Sequence, residues 1–264
     1  DNQIPVGGLF EEERSADIVN ARISDQANPR LREVMAVLTR HLHAAIKEIE
    51  PSHDEWLRAI EFLTRTGQMC TDWRQEYILL SDVLGATMLV DAINHRRPKG
   101  ATPNTILGPF YVADAPRYEN GANICLDGKG EPTLVSGRVL DTDGNPIVGA
   151  TLDIWQTNDD GFYDVQYTDG RTAARAHIFT DDEGRYRFWG LTPTPYPIPH
   201  DGPVGAMLAT VGRSPMRASH LHFMVSAPGT RTLVTHIFVK DDPQLAADSV
   251  FGVKDSLVME FTQH

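Results

Sequence analysis

The chain has 264 residues, 41% hydrophobic and 23% charged, with 24 Lys and Arg against 36 Asp and Glu for a formal charge of −12. Such a length suits one large domain or a small domain plus a larger one and is ample for a buried core, and the composition is that of a soluble globular protein. The acidic balance argues against nucleic acid as the main partner, because phosphate binding needs clustered Lys and Arg, and no apolar run is long enough for a membrane span.

Cys70 and Cys125 are too few for a disulfide framework and fit neither a CxxC zinc nor a redox pattern, so a reducing cytoplasm is expected. The opening Asp1-Asn2-Gln3-Ile4-Pro5 lacks a basic region followed by an apolar core and does not read as a signal peptide. It also lacks an initiator Met, which leaves open a removed segment.

Glycine and proline divide the chain. Residues 1–100 hold 5 Gly and 4 Pro, whereas residues 101–264 hold 16 Gly and 13 Pro. A helical leader followed by a turn-punctuated β region is expected. Asn28 before Pro29 reads as an N-cap with proline at the first helical position. Leu31, Val34, Leu38, Leu42, Ala45 and Ile49 then form one helical stripe, which Pro51 ends. Ser52-x-x-Glu55 is a capping box for a second helix, with Trp56, Ile60 and Leu63 inward and Gly67 after its end. A third helix is predicted over 74–94, carrying Tyr77, Leu80, Leu84 and Met88, and 95–104 reads as a linker.

From Thr133 the period becomes two. Val135 to Leu140 is a predicted strand, Asp143-Gly144-Asn145-Pro146 a turn, and Ala150 to Trp155 the returning strand. Further strands are predicted over 186–189, 206–210, 220–225 and 233–239. Short strands at this spacing predict an antiparallel sandwich or barrel.

His220 and His222 stand two apart in a predicted strand, so their imidazoles share one face. That spacing suits one metal, and equally two ordinary hydrogen-bonded histidines. Tyr163 follows Asp159-Asp160-Gly161-Phe162. Tyr196 lies in Pro193-Thr194-Pro195-Tyr196-Pro197-Ile198-Pro199, where alternating prolines stiffen an extended loop without a supporting ladder. Either tyrosine taken alone is a half-buried aromatic with a wet hydroxyl.

Several blocks together resemble the intradiol ring-cleaving dioxygenases, and within them the hydroxyquinol-type branch. They are Gly108-Pro109-Phe110-Tyr111, Val135-Ser136-Gly137-Arg138-Val139-Leu140, Leu152-Asp153-Ile154-Trp155-Gln156, Asp160-Gly161-Phe162-Tyr163, Arg217-Ala218-Ser219-His220-Leu221-His222-Phe223 and Thr235-His236-Ile237-Phe238. The region before residue 100 resembles the helical linker domain of the catechol-type branch. The resemblance implies a mainly β protein with a helical N-terminal part. Residues 1–104 would be a helical linker and dimerisation domain, and residues 105–264 an antiparallel β-sandwich catalytic domain.

It further implies one non-haem Fe(III) per subunit, held by Tyr163, Tyr196, His220 and His222. Phenolates are hard anionic donors that suit a trivalent iron better than zinc. The implied reaction cleaves an aromatic diol or triol with O2, here benzene-1,2,4-triol, to a muconate that keeps both oxygen atoms. Tyr196 would leave the iron and take a substrate proton. Arg217 would stabilise the electron-rich ring, and His236 would either contact substrate or orient a ligand. The implied substrate-binding residues are Leu79, Asp82, Ile106, Leu107, Gly108, Pro109, Phe110 and Val250. Asp82 would accept the third hydroxyl, unless it faces solvent. A homodimer through the helices is implied, and relatives hold a lipid-like molecule at that interface, where Val34, Leu38 and Leu42 could line it.

Three rival readings remain. A catechol or chlorocatechol 1,2-dioxygenase is the runner-up within the family. A non-catalytic prealbumin-like β-sandwich module would explain Ser136 to Ala150 but not the His and Tyr set. A zinc hydrolase built on His220 and His222 would need a third ligand.

Overall fold

The computed structural model describes residues 6–72, 74–125 and 129–263. The Asp1–Pro5 stretch assessed above for a signal peptide lies outside the described residues. By packing, the chain divides into two compact units, Asp1–Thr64 and Arg65–His264.

The first unit holds α1 (Ser15–Ala21), α2 (Pro29–Ile49) and most of α3 (His53–Gln68). Asn28 caps α2, its Oδ1 accepting from the amides of Arg30 at 3.0 Å and Leu31 at 3.1 Å. These amides have no carbonyl one turn earlier, which is why the cap stabilises. Glu50, in the left-handed conformation, ends α2 just before Pro51. The Ser52–Glu55 capping box is reciprocal: Ser52 N donates to Glu55 Oε2 at 2.8 Å, and Glu55 N to Ser52 Oγ at 3.3 Å.

Two expectations for these helices are corrected. Helix α3 continues through Gly67 to Gln68. The residues expected inward, Trp56, Ile60 and Leu63, are exposed, as are Leu31, Val34, Leu38, Leu42 and Ile49 of α2. Periodicity identifies an apolar face without identifying what covers it.

In the second unit the helix expected over 74–94 is two helices, α4 (Glu76–Val83) and α5 (Ala86–Asn94). Gly85 separates them at φ +73°, a conformation glycine adopts without strain. Leu80 and Met88 are buried, while Tyr77 and Leu84 are exposed.

The unit is mainly sheet. Strands β1 (Pro132–Arg138) and β4 (Arg185–Leu191) pair with each other. A five-stranded sheet has the order β3-β2-β7-β8-β9. It comprises β3 (Arg175–Phe179), β2 (Thr151–Trp155), β7 (His220–Ser226), β8 (Leu233–Val239) and β9 (Val258–Met259). Its pairings are antiparallel except for parallel β8–β9.

The expected hairpin of β1 with β2 does not form. The turn exists, with Asp141 Oδ1 accepting from the amides of Asp143 and Asn145. The chain then passes Gly149 (φ +66°) and delivers β2 to the other sheet. The strand expected over 206–210 is helix α6 (Pro203–Thr210), which begins at a proline following Gly202. Strand β3 had no counterpart among the expected elements.

Leu152, Ile154, Ile178, Leu221 and Phe223 of the five-stranded sheet share one buried cluster with Val135 and Phe188 of the β1–β4 pair. Each such side chain stabilises by about 1.5–3 kcal/mol through burial. Among the described residues, no helix is long and apolar enough to cross a membrane.

Replacing Asn28 with Ala is expected to lower stability by about 1 kcal/mol, measured by chemical denaturation followed by circular dichroism. An unchanged unfolding curve would mean that water serves those amides equally well.

Candidate functional site

The site is organised by β7, which runs between β2 and β8. Trp155 is the register partner of His222, and His222 of His236. Alternation sends Leu221 and Phe223 into the core cluster and presents His220 and His222 on the opposite face. The Trp155 indole stacks on the His222 ring, with centroids 4.6 Å apart and planes at 15°.

Both imidazoles are held from behind. His220 Nδ1 lies 2.6 Å from the Ala218 carbonyl oxygen, which can only accept. The proton therefore sits on Nδ1, and Nε2 is bare. His222 Nδ1 lies 2.7 Å from His236 Nε2, and His236 Nδ1 lies 2.8 Å from Thr105 Oγ1. With Thr105 accepting, donation runs outward along this chain and leaves His222 Nε2 bare as well. Burial keeps all three rings neutral. It pushes His220 down to about 3, with the Arg217 charge adding to the effect. Burial and the neighbouring imidazoles hold His222 and His236 well below the ordinary range.

Tyr163 follows a turn in which Asn158 Oδ1 accepts from Asp160 N at 3.1 Å and Phe162 N at 2.9 Å. Its own amide donates to Gln166 Oε1 at 2.9 Å. Tyr196 starts a two-residue strand, β5 (Tyr196–Pro197), paired with β6 (Met216–Arg217), so the proline-rich loop does have a short ladder. The ladder forms because prolines occupy alternate positions and leave the amides of Tyr196 and Ile198 available; Ile198 N donates to Pro215 O at 2.9 Å. Gly161, at φ +83°, permits the approach of the two tyrosine segments: a Cβ there would lie 2.9 Å from Tyr196 Cβ.

Four polar atoms converge. Tyr163 Oη is 3.0 Å from Tyr196 Oη, 2.8 Å from His222 Nε2 and 3.5 Å from His220 Nε2. Tyr196 Oη is 3.4 Å from His220 Nε2, and the two Nε2 atoms are 3.1 Å apart. Ligands each about 2.0–2.1 Å from one ion are separated by about 2.8–3.5 Å. His236 also lies near, its ring nitrogens within 4.8 Å of the other two imidazoles. Its Nε2, however, faces His222 Nδ1, behind the convergence.

Burial raises both phenols, Tyr163 well above the ordinary range, while the Arg217 guanidinium opposes the rise. The isolated chain thus carries protonated phenols at neutral pH, and a cation would displace those protons. Two hard oxygen donors with two imidazoles fit a trivalent iron.

A cavity of about 430 Å³ opens beside these atoms. Tyr196 and His222 line it, whereas Tyr163 does not. Leu79, Asp82, Ile106, Gly108, Pro109, Phe110 and Val250 line it as expected from sequence. Leu107 does not: it is 39% exposed and turned away from the cavity. Gly161, Phe162 and Ile198 also line the cavity and were missed, although each flanks an expected tyrosine. Asp82 is half-buried, and burial raises its carboxyl.

Arg217 lines the cavity, and its Nε donates to Asp248 Oδ1 at 3.0 Å. Asp248 also accepts from Ala218 N at 3.1 Å and Gly252 N at 2.8 Å. Burial works against the Arg217 charge, but Asp248 together with Tyr196 and Tyr163 outweighs it and raises the group. Asp248 was not anticipated, since no local pattern links it to Arg217.

Tyr163 is also braced from below. Arg175 Nη2 lies 2.6 Å from Asp164 Oδ1 and donates to Phe110 O at 2.9 Å. The Phe110 ring stacks on Tyr163 at 4.5 Å. Arg175 and Asp164 are buried, so either one alone would be an uncompensated charge.

Comparison with known proteins places this geometry among relatives. The family profile described as "Dioxygenase" matches residues 106–264, and that described as "Catechol dioxygenase N terminus" matches residues 28–102. The chain is 59% identical over 256 residues to hydroxyquinol 1,2-dioxygenase of Rhizobium sp. (strain MTP-10005), covering 96% of this chain and 87% of that protein. It is 56% identical to the Rhodococcus opacus protein of the same name, covering 96% and 84%. The crystal structure of hydroxyquinol 1,2-dioxygenase from Pseudomonas putida DLL-E4 superposes with a TM-score of 0.92 at 47% identity, covering 95% of this chain and 88% of that one.

Arg175→Ala is expected to destabilise the protein by about 3–5 kcal/mol, because Asp164 would be left buried and unpaired. Equilibrium denaturation measures this, and a loss below about 1 kcal/mol would mean that water reaches Asp164.

Proposed function

The chain belongs to the intradiol ring-cleavage dioxygenase family, and from that premise we propose that it opens the ring of benzene-1,2,4-triol (hydroxyquinol) between the adjacent hydroxyls. The co-substrate is O2, both of whose atoms enter the product, 3-hydroxy-cis,cis-muconate or its tautomer maleylacetate. The observation that carries this reading is the convergence of Tyr163, Tyr196, His220 and His222 within 2.8–3.5 Å beside a ring-sized cavity.

These four residues would hold one Fe(III) per subunit. The ferric ion, when bound, draws electron density from a chelated diol and so opens its ring to oxygen. Tyr196 is the phenol that lines the cavity, which supports it as the group whose Oη takes a proton from a substrate hydroxyl. Arg217 supplies a fixed positive charge at the cavity where negative charge builds on the ring. Asp82 accepts the third hydroxyl, a partner that catechol cannot offer. Ile106, Phe110, Ile198 and Val250 exclude water from the reacting ring. His236 is a positioning residue: it orients His222 through its own bond to Thr105.

The same reading assigns residues 1–104 to a helical linker and dimerisation domain and residues 105–264 to an antiparallel β-sandwich. The core shared by the two sheets supports the sandwich. The exposed apolar faces of α2 and α3 support a homodimer, with Val34, Leu38 and Leu42 available to a lipid-like molecule. The low cysteine count supports a cytoplasmic location.

The visible spectrum of iron-loaded protein tests the site. A tyrosinate-to-iron absorption band that shifts on anaerobic addition of benzene-1,2,4-triol is expected. Protein that remains colourless after loading would reject the ligand set, and a band moved only by catechol would reject the substrate. Asp82→Ala is expected to lower kcat/KM for the triol relative to catechol by about tenfold or more, since a site built around a hydrogen bond discriminates through it. An unchanged ratio from steady-state kinetics would remove Asp82 from recognition.

A further inference from the structure

We propose that Arg213, which lies outside the cavity lining, is the positioning residue that holds two cavity walls at the spacing the triol requires. The inference rests on the triol reading and adds a determinant remote from substrate.

Helix α6 runs alongside α4 as a strut. At its start, Val204 N donates to Oε1 of fully buried Glu76, in the first turn of α4. At its end, Gly212 takes φ +70° and Arg213 N returns to Leu208 O at 2.9 Å, a left-handed helix termination. That turn delivers the Arg213 side chain to the far end of α4. Nη1 donates to Val83 O at 2.5 Å, and Nη2 donates to Ser249 O at 3.1 Å. The guanidinium also lies over the Phe251 ring, 4.9 Å from its centroid.

Each contact adjoins a functional group. Val83 follows Asp82, on the wall that meets the third hydroxyl. Ser249 lies between Asp248, which holds Arg217, and Val250, which forms the facing wall. Phe251 adopts φ +60°, an uncommon conformation for a bulky residue, so the 248–252 loop needs outside support to keep its shape. Asp248 helps from within, accepting Phe251 N on its carbonyl and Gly252 N on Oδ2. Arg213 links this loop to α4 by hydrogen bonds to both. A guanidinium fork can serve two carbonyls on different elements at once, whereas a lysine ammonium is a single point of donation.

Releasing that link would let α4 drift from the loop. Ser249 N on Met216 O at 3.0 Å and Ala218 N on Asp248 Oδ1 at 3.1 Å keep the loop tied to the β6–β7 segment, so that Arg217 and the ring's adjacent hydroxyls stay in place. Such a drift costs the third hydroxyl its partner and leaves the reacting carbons where they were. The loss therefore falls on KM for the triol and spares kcat.

Full-length, iron-loaded Arg213→Gln and Arg213→Lys, each also combined with Asp82→Ala, test this by steady-state kinetics. Either single variant is expected to raise KM for benzene-1,2,4-triol about tenfold with kcat within about twofold, and to keep the tyrosinate band. In the Asp82→Ala background neither is expected to raise KM further, because the interaction they position is already gone. Unchanged KM in the single variants, or the same rise in both backgrounds, would overturn the proposal. If Arg213→Gln does not fold, Arg213→Lys decides by the same criteria, since it keeps the stem and the charge and loses only the fork. Wild-type protein with the absorption band but no turnover of the triol would instead reject the substrate reading beneath it.

Discussion

Two imidazole Nε2 atoms and two phenol oxygens are drawn together in the interior, with five mutual contacts of 2.8–3.5 Å, and the surrounding chain holds them there. With the phenols protonated, Tyr163 Oη can donate to His222 Nε2 at 2.8 Å and Tyr196 Oη to Tyr163 Oη at 3.0 Å, whereas the two bare Nε2 atoms, 3.1 Å apart, repel. Protonating the imidazoles is opposed by the same burial that lowers their basicity. Ionising the phenols without a counter-charge is opposed equally. Such an arrangement persists only if the surrounding chain imposes it. The supports are visible: the Ala218 carbonyl behind His220, Thr105 and His236 behind His222, Trp155 across its face, and the Arg175–Asp164 pair under Tyr163. Most of them act from paired strands or buried side chains, so each donor has little freedom to turn away.

The cavity has two walls of different origin. Strand β7 and the β5–β6 pair contribute His220, His222, Tyr196 and Arg217, locked by cross-strand pairing. Helix α4 and the 248–252 loop contribute Leu79, Asp82 and Val250, held by capping contacts and by Arg213. Ring-opening chemistry depends on the first wall, because the reacting atoms and the charges that act on them must be fixed closely. On the triol reading, substituents would be recognised by the second, where a modest shift changes fit and leaves the reacting atoms untouched.

The helical unit carries a different lesson. In α2 and α3 the apolar residues keep a regular helical stripe yet stay exposed. Their pattern arises from the need of an amphipathic helix to cover one face, and a face is covered equally well by the same chain or by another. An exposed stripe of this extent is unusual for a helix that works alone.

The sequence by itself determined the local features: the Asn28 and Ser52–Glu55 caps and the strand placing His220 and His222 on one face. All of these follow from neighbours a few residues apart or from motifs carried within one segment. Only the tertiary structure decided the break at Gly85, the helix over Pro203–Thr210, the separation of β1 from β2, and the outward turn of Leu107. It alone supplied Asp248 for Arg217, Thr105 for His236 and Arg213 for the cavity walls. Those partners meet across long stretches of chain, and a pairing set by packing leaves no periodic trace in the residues between.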